Sequence, residues 1–188
     1  MKLSNKMREL SHHLLDLIEN SLAAGASTIK ITVIEDTSGD ILGFEVGDNG
    51  GGLNEEEIEQ IYDPFVTSRR LRRVGLGIPL LQQAARACEG DLIIRSEKGK
   101  GTTVKTTFRR SHIDRMPLGD VASTLVAAVA AKPDVNLLYN HLVDGREFIF
   151  DTSWLISKFR ELPLNDVKVL SWMKGFCREG IKKLYRGD

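Results

Sequence analysis

Phe44-Glu45-Val46 alternates apolar and polar side chains and then gives way to Gly47-Asp48-Asn49-Gly50-Gly51-Gly52-Leu53. No other stretch constrains the fold as much. A strand must run directly into a loop that carries an acid beside three consecutive glycines. Glycine lets the backbone reach positive φ and lets a ligand or a second backbone approach closely. A plain glycine-rich turn behind a strand has the same composition. The loop reads as a site only if other segments bring chemistry to it. Three segments qualify: Asp16 and Asn20 upstream, Val74-Gly75-Leu76-Gly77 downstream, and Gly99-Lys100-Gly101-Thr102 beyond.

The elements around these stretches follow from periodicity. Residues 4 to 24 read as a helix, with Leu10, Leu14, Leu15, Leu17, Ile18 and Leu22 on one arc. His12, His13, Asp16, Glu19 and Asn20 fall on the other arc, and Gly25 caps the end. Ile29, Ile31 and Val33 then alternate, and a turn at Ser38-Gly39-Asp40 leads into a strand from Ile41 to Val46, which makes a hairpin. Asn54 is an N-cap for a short acidic helix that Asp63-Pro64 ends. After a basic irregular segment from Val66 to Val74, residues 76 to 88 form a helix with Ile78, Leu81, Ala85 and Cys88 on one side. Pro79 is tolerable there because it falls in the first turn. Two strands, about 91–96 and 102–109, flank the Gly99–Gly101 turn. One layer of helices on one antiparallel-rich sheet is the packing these elements allow.

Taken singly, each stretch has a plain reading. Asp16 and Asn20 are four apart on a helix and project from one face, which equally describes a solvated surface. An acid there can polarise a water, and an amide oxygen can join a magnesium shell completed by phosphates. Gly75-Leu76-Gly77 at a helix start offers free N–H groups and the positive end of the dipole, a seat for phosphate. Four arginines within five residues (Arg69, Arg70, Arg72, Arg73) can hold triphosphate oxygens or simply solvate a loop.

In this order the four stretches resemble the nucleotide site of the GHKL family of gyrases, heat-shock chaperones, histidine kinases and mismatch-repair ATPases, over about residues 5 to 109. The resemblance implies the α+β Bergerat fold, a two-layer α/β sandwich, for residues 1–110. A small α+β extension would occupy 111–188. It places Mg²⁺ on Asn20 and the general base on Asp16, where the ATP-hydrolysing members usually have Glu and histidine kinases often have Asn. It makes Asp48, with Gly50 and Gly52, the reader of adenine. A carboxylate accepts a hydrogen bond from the exocyclic amine of adenine and finds no such donor on guanine. Tyr62-Asp63-Pro64-Phe65 resembles the F box at the start of a short ATP lid, from which Arg69 or Arg70 would clamp phosphate. Gly75, Leu76, Gly77 and Ile78 resemble the second glycine box, and Thr102 the threonine that supports the adenine pocket through Asp48. Only eleven residues precede His12, so the dimerisation helices that carry a phosphoacceptor histidine are expected to be absent, and His12 and His13 to be ordinary members of the first helix.

The resemblance implies a histidine-kinase-like ATPase, or a protein kinase, that binds ATP and Mg²⁺ and acts on a partner protein. The alternative is a regulatory module in which ATP and ADP set a protein surface with little turnover. Zero formal net charge argues against nucleic acid as the partner. The most apolar run, Val121 to Ala131, is too short to span a bilayer, and Cys88 and Cys177 lack metal or redox spacing. A cytoplasmic protein is expected. The segment after residue 110 carries 11 Lys+Arg and 10 Asp+Glu, so charge assigns it no role. Its elements are expected as helix 118–131, strands 135–142 and 146–151 around an Asp144-Gly145 turn, and helices near 153–161 and 165–185.

Overall fold

The computed structural model describes residues 9–62, 77–159 and 163–186. Helix α1 (Leu10–Ala23) is followed by the hairpin β1 (Thr28–Asp36) and β2 (Ile41–Asp48), then by helices α2 (Glu55–Tyr62) and α3 (Gly77–Ala87). A second hairpin, β3 (Asp91–Glu97) and β4 (Gly101–Arg109), completes the first part of the chain. Helix α4 (Val121–Ala131), strands β5 (Asn136–Val143) and β6 (Arg146–Asp151), and helices α5 (Thr152–Lys158) and α6 (Val167–Leu184) follow. The fold is mixed α+β, one six-stranded sheet in the order β3-β4-β2-β1-β5-β6 with helices layered against it, consistent with the Bergerat sandwich expected from the sequence. Strand β5 runs parallel to β1, pairing Ile31 with Tyr139, so the strands after residue 110 widen the same sheet.

Period-two burial fixes which face of the sheet the helices cover. Ile29, Ile31 and Val33 of β1 are buried while Lys30 and Ile34 are exposed. Leu137, Tyr139 and His141 of β5 continue that buried face. Leu14, Leu17 and Ile18 of α1 pack onto it, each contributing about 1.5–3 kcal/mol by leaving water. Asn54 and Glu57 form a reciprocal capping box on α2: Glu57 N–H donates to Asn54 Oδ1 and Asn54 N–H donates to Glu57 Oε2. Asp144 (φ 48) and Gly145 (φ 82) close the β5–β6 hairpin with both central residues at positive φ.

Helix α1 differs from its sequence expectation in two respects, and α4 together with the segment leading into it explains both. Glu9 is extended (φ −140), and the helix starts at Leu10 because its first N–H groups donate to the carbonyls of Pro117 and Leu118. Residues 4–8 lie outside the described residues. His13, expected on the polar arc, is 2% exposed, since α4 covers a second side of α1.

A buried polar cluster joins β1 to the end of the chain. Glu35 accepts hydrogen bonds from His141 Nε2 (3.2 Å) and from the hydroxyl of Tyr185, and Arg110 Nε lies 3.8 Å away. Tyr139 Oη shares a bond with His141 Nδ1 (2.8 Å). Burial alone would raise the Glu35 pKa, but the His141 and Tyr185 bonds and the charges of His141 and Arg110 outweigh it and hold the carboxyl below its ordinary range. Asp120, the N-cap of α4, bonds Ser123 and pairs with Arg178 of α6 (2.8 Å). Burial opposes ionisation there too, yet these partners bring Asp120 down to about 2. Carboxyls lowered on folding stabilise the fold above their unfolded pKa and lose that contribution as pH falls through the folded value. Melting temperature should therefore fall steadily from pH near 5 towards 2, and Glu35→Gln should flatten part of that slope. A melting temperature flat across this window would contradict the linkage.

Candidate functional site

Asp48 is the last residue of β2, and its carboxylate is held on three sides. Ser21 Oγ donates to Oδ2 (2.7 Å), Gly50 N–H donates to Oδ1 (2.8 Å), and Thr102 N–H reaches Oδ1 at 3.4 Å. Helix α1, strand β2 and strand β4 thus meet on one acid. Ser21 was missed by the sequence reading. It sits four residues after Leu17, on the buried arc of α1, and a hydroxyl on an apolar arc is the signal that could have found it.

The two glycine loops press against each other, so their glycines are required. A Cβ on Gly52 (φ 61) would strike the carbonyl of Glu97, and one on Gly101 (φ 109) would strike the carbonyl of Asp48. Gly99 N–H donates to the carbonyl of Gly51 (2.8 Å). Gly50 is buried, 2.9 Å at its would-be Cβ from the carbonyl of Ala24, which also accepts from Gly51 N–H. Ser96 was missed as well: its hydroxyl bonds Thr102 Oγ1 (2.8 Å), donates to the Gly101 carbonyl and accepts from Leu53 N–H.

A cleft of about 320 Å³ opens above Asp48. Asn20, Asp48, Gly52, Ile78 and Thr102 line it together, with Leu17, Val46 and Val104 as apolar wall and Ala24 and Gly25 at one side. Lys98 and Glu57, paired at 3.4 Å, stand at its rim. This is an apolar slot with one fixed carboxylate inside, which suits a flat heteroaromatic ring bearing a donor. The Asn20 side chain makes no hydrogen bond among the described residues and is half-buried in the wall. It fits as one amide ligand to a cation whose other ligands come from phosphate and water. Among the described residues no three His, Cys, Asp or Glu side chains gather as a metal cluster, so the protein's share of such a shell is small.

Asp16 lies one turn before Asn20 and touches the start of α3. A Cβ on Gly77 would sit 2.9 Å from Asp16 Oδ2, so glycine is what lets α3 begin there. Burial raises the Asp16 pKa, with the charge of His12 pulling the other way. The acid therefore stands beside the first turn of a helix, whose N–H groups have no intrahelical partner and favour phosphate. His13 faces away from the cleft into the α1 packing, and burial, then His12, pushes its pKa down. Phe65, Arg69, Arg70, Gly75 and Leu76 lie outside the described residues.

Comparison with known proteins accords with this geometry. A family model described as histidine kinase-, DNA gyrase B-, and HSP90-like ATPase matches residues 5–112. The non-motile and phage-resistance protein of Caulobacter vibrioides is 30% identical over 117 residues, which is 57% of this chain and 14% of that protein. Histidine protein kinase DivJ of the same organism is 28% identical over 130 residues, 67% of this chain and 20% of the kinase. The tetrathionate sensor histidine kinase TtrS of Salmonella typhimurium is 31% identical over 119 residues, 61% of this chain and 19% of the kinase. The chain thus spans a fifth or less of the length of these relatives. Among the described residues no helix is long and apolar enough to cross a membrane.

Proposed function

Because the chain belongs to the histidine kinase-, DNA gyrase B- and HSP90-like ATPase family, we propose that it binds Mg²⁺-ATP in the cleft above Asp48 and acts as a histidine-kinase-like ATPase or protein kinase on a partner protein. The observation that carries the reading is the Asp48 carboxylate, fixed by Ser21, Gly50 and Thr102 at the bottom of an apolar slot. Adenine enters the slot between the apolar walls and donates its exocyclic amine to Oδ2. The triphosphate then runs towards Asn20 and the first turn of α3. When bound, Mg²⁺ neutralises phosphate charge and polarises the γ-phosphoryl group. Asn20 supplies the protein ligand to it. Asp16 accepts a proton from the attacking water or hydroxyl at the same end, and Arg69 or Arg70 holds phosphate from the lid. Catalysis of this kind is mostly positioning and charge stabilisation.

Residues 1–110 form the ATP-binding unit in this reading, and 111–188 an extension that widens the sheet. Asn20→Ala should weaken Mg²⁺-dependent ATP binding roughly tenfold or more while leaving adenosine binding nearly unchanged. Equal loss of both ligands in calorimetry would show damage to α1 rather than to a metal ligand. Asp16 favours a second reading, since it is one methylene shorter than the family's usual glutamate and is backed against Gly77. In that reading ATP and ADP set a protein surface and turnover is negligible. Release of labelled phosphate with and without candidate partners separates the two, together with nucleotide-dependent proteolysis across residues 66–74.

A further inference from the structure

Both tryptophans of the chain, Trp154 and Trp172, lie far from the nucleotide cleft in one aromatic cluster on α5 and α6. Trp172 stacks on Phe176 (centroids 5.1 Å, 13°), Trp154 stacks on Phe176 (5.8 Å, 28°), and Lys158 Nζ sits 4.7–4.8 Å over both indoles. Trp154 is 45% and Phe176 36% exposed. Beside this cluster runs a groove of about 820 Å³. Arg146–Ile149 of β6 form one wall, and Trp172, Gly175, Phe176 and Lys183 of α6 the other. Strand β6 ends the sheet, and among the described residues no strand pairs with its outer edge.

The geometry points to β-strand addition: an extended segment of a partner protein, with alternating apolar side chains flanked by acidic residues, adds to the free edge of β6 under α6. Three observations carry this, and Gly175 and the charge of α6 add to them. A free edge offers backbone donors and acceptors that only an extended chain satisfies in series. Ile149, on the open face, is 53% exposed, while Phe148 lies on the helix side, so an added strand meets apolar surface on both faces. Helix α6 buries Val169, Met173 and Cys177 against the core, yet carries a second apolar stripe, Trp172 and Phe176, towards the groove.

Gly175 lies between those two aromatic residues. Glycine is unfavourable inside a helix, and nothing comes within 4 Å of its would-be Cβ, so internal packing does not explain it. Gly180 contrasts with it, because the Phe148 ring fills the space where its side chain would be. A bare helix surface at Gly175 lets a partner backbone come close.

Charge selects the partner. Helix α6 carries five cations (Lys168, Lys174, Arg178, Lys182, Lys183) against one acid (Glu179). Of the five, only Arg178 is ion-paired among the described residues, to Asp120. Arg146, also without an ion pair among the described residues, adds a further cation at one end of the groove. A second copy of this chain fits poorly, since two α6 helices would bring like charges together. Its symmetric β6 registers centred on Glu147 or Ile149 would also oppose acid to acid. Nucleic acid fits poorly as well, because the ring faces that would stack on bases already stack on one another.

A phage-displayed random dodecapeptide library, panned on the full chain, tests the proposal. Enriched peptides should share alternating apolar positions flanked by Asp or Glu. As synthetic peptides they should change the fluorescence of Trp154 and Trp172, which report the groove directly. Gly175→Glu improves helix propensity and leaves the nucleotide cleft untouched, so it should fold and bind ATP as before while weakening these peptides by roughly tenfold or more. Several results overturn the proposal: enrichment without that pattern, equal binding by Gly175→Glu, tighter binding of oligo-dT than of any peptide, or a dimer that Gly175→Glu dissolves.

Discussion

Asp48→Asn is expected to cost adenine nucleotide binding roughly 10²-fold or more, because it reverses the polarity of one atom. Gly50 N–H and Thr102 N–H both point at Oδ1, so the amide oxygen of asparagine must take that position. The amide nitrogen then replaces Oδ2, where Ser21 can reverse its hydroxyl and accept. Adenine meets a donor where it requires an acceptor. Losing a hydrogen bond to a charged group costs about 1.5–3 kcal/mol, and opposing two donors in a closed slot adds to that. Titration of the purified variant with Mg²⁺-ATP, with its melting temperature as a control for folding, measures the effect. A folded Asp48→Asn variant that binds ATP like the parent would exclude Asp48 as the adenine contact.

Asp16→Asn should separate binding from chemistry. The carboxylate acts on the attacking group, so its charge matters mainly in the transition state. ATP affinity should change little, while turnover or partner phosphorylation falls by about 10²–10⁴-fold, the usual worth of a general base. Burial raises the Asp16 pKa, so the acid limb of the rate should lie above the ordinary aspartate range and vanish in Asp16→Asn. Asp16→Glu restores the longer side chain, and a faster rate would show that reach limits the parent. Its extra methylene must fit beside Gly77, where even an added Cβ would come within 2.9 Å of Asp16 Oδ2. Unchanged rates in both variants would remove Asp16 as base and leave the regulatory reading.

How much of this was legible in the sequence depends on whether the cause was local. The Asp48 loop, the β1–β2 hairpin and the Asn54–Glu57 cap follow from short-range chemistry, and they stand where period and turn residues place them. The start of α1 did not, because the carbonyls that cap it come from Pro117 and Leu118. The burial of His13 is equally non-local, since α4 packs against α1. Ser21 and Ser96 were overlooked because each bonds a residue distant in sequence, 27 positions for Ser21 and Asp48 and 43 for Ser96 and Leu53. The parallel pairing of β5 with β1 is likewise invisible to periodicity, which reports which face of a strand is buried but not its neighbour.

Isothermal titration with ATP, ADP, GTP and GDP in the presence of Mg²⁺ tests the central claim, that the cleft above Asp48 is an adenine nucleotide site, most directly. ATP and ADP should bind, and the guanine nucleotides should bind at least 10²-fold more weakly, because the guanine carbonyl meets the Asp48 carboxylate acceptor to acceptor. Comparable affinities for ATP and GTP would contradict the account.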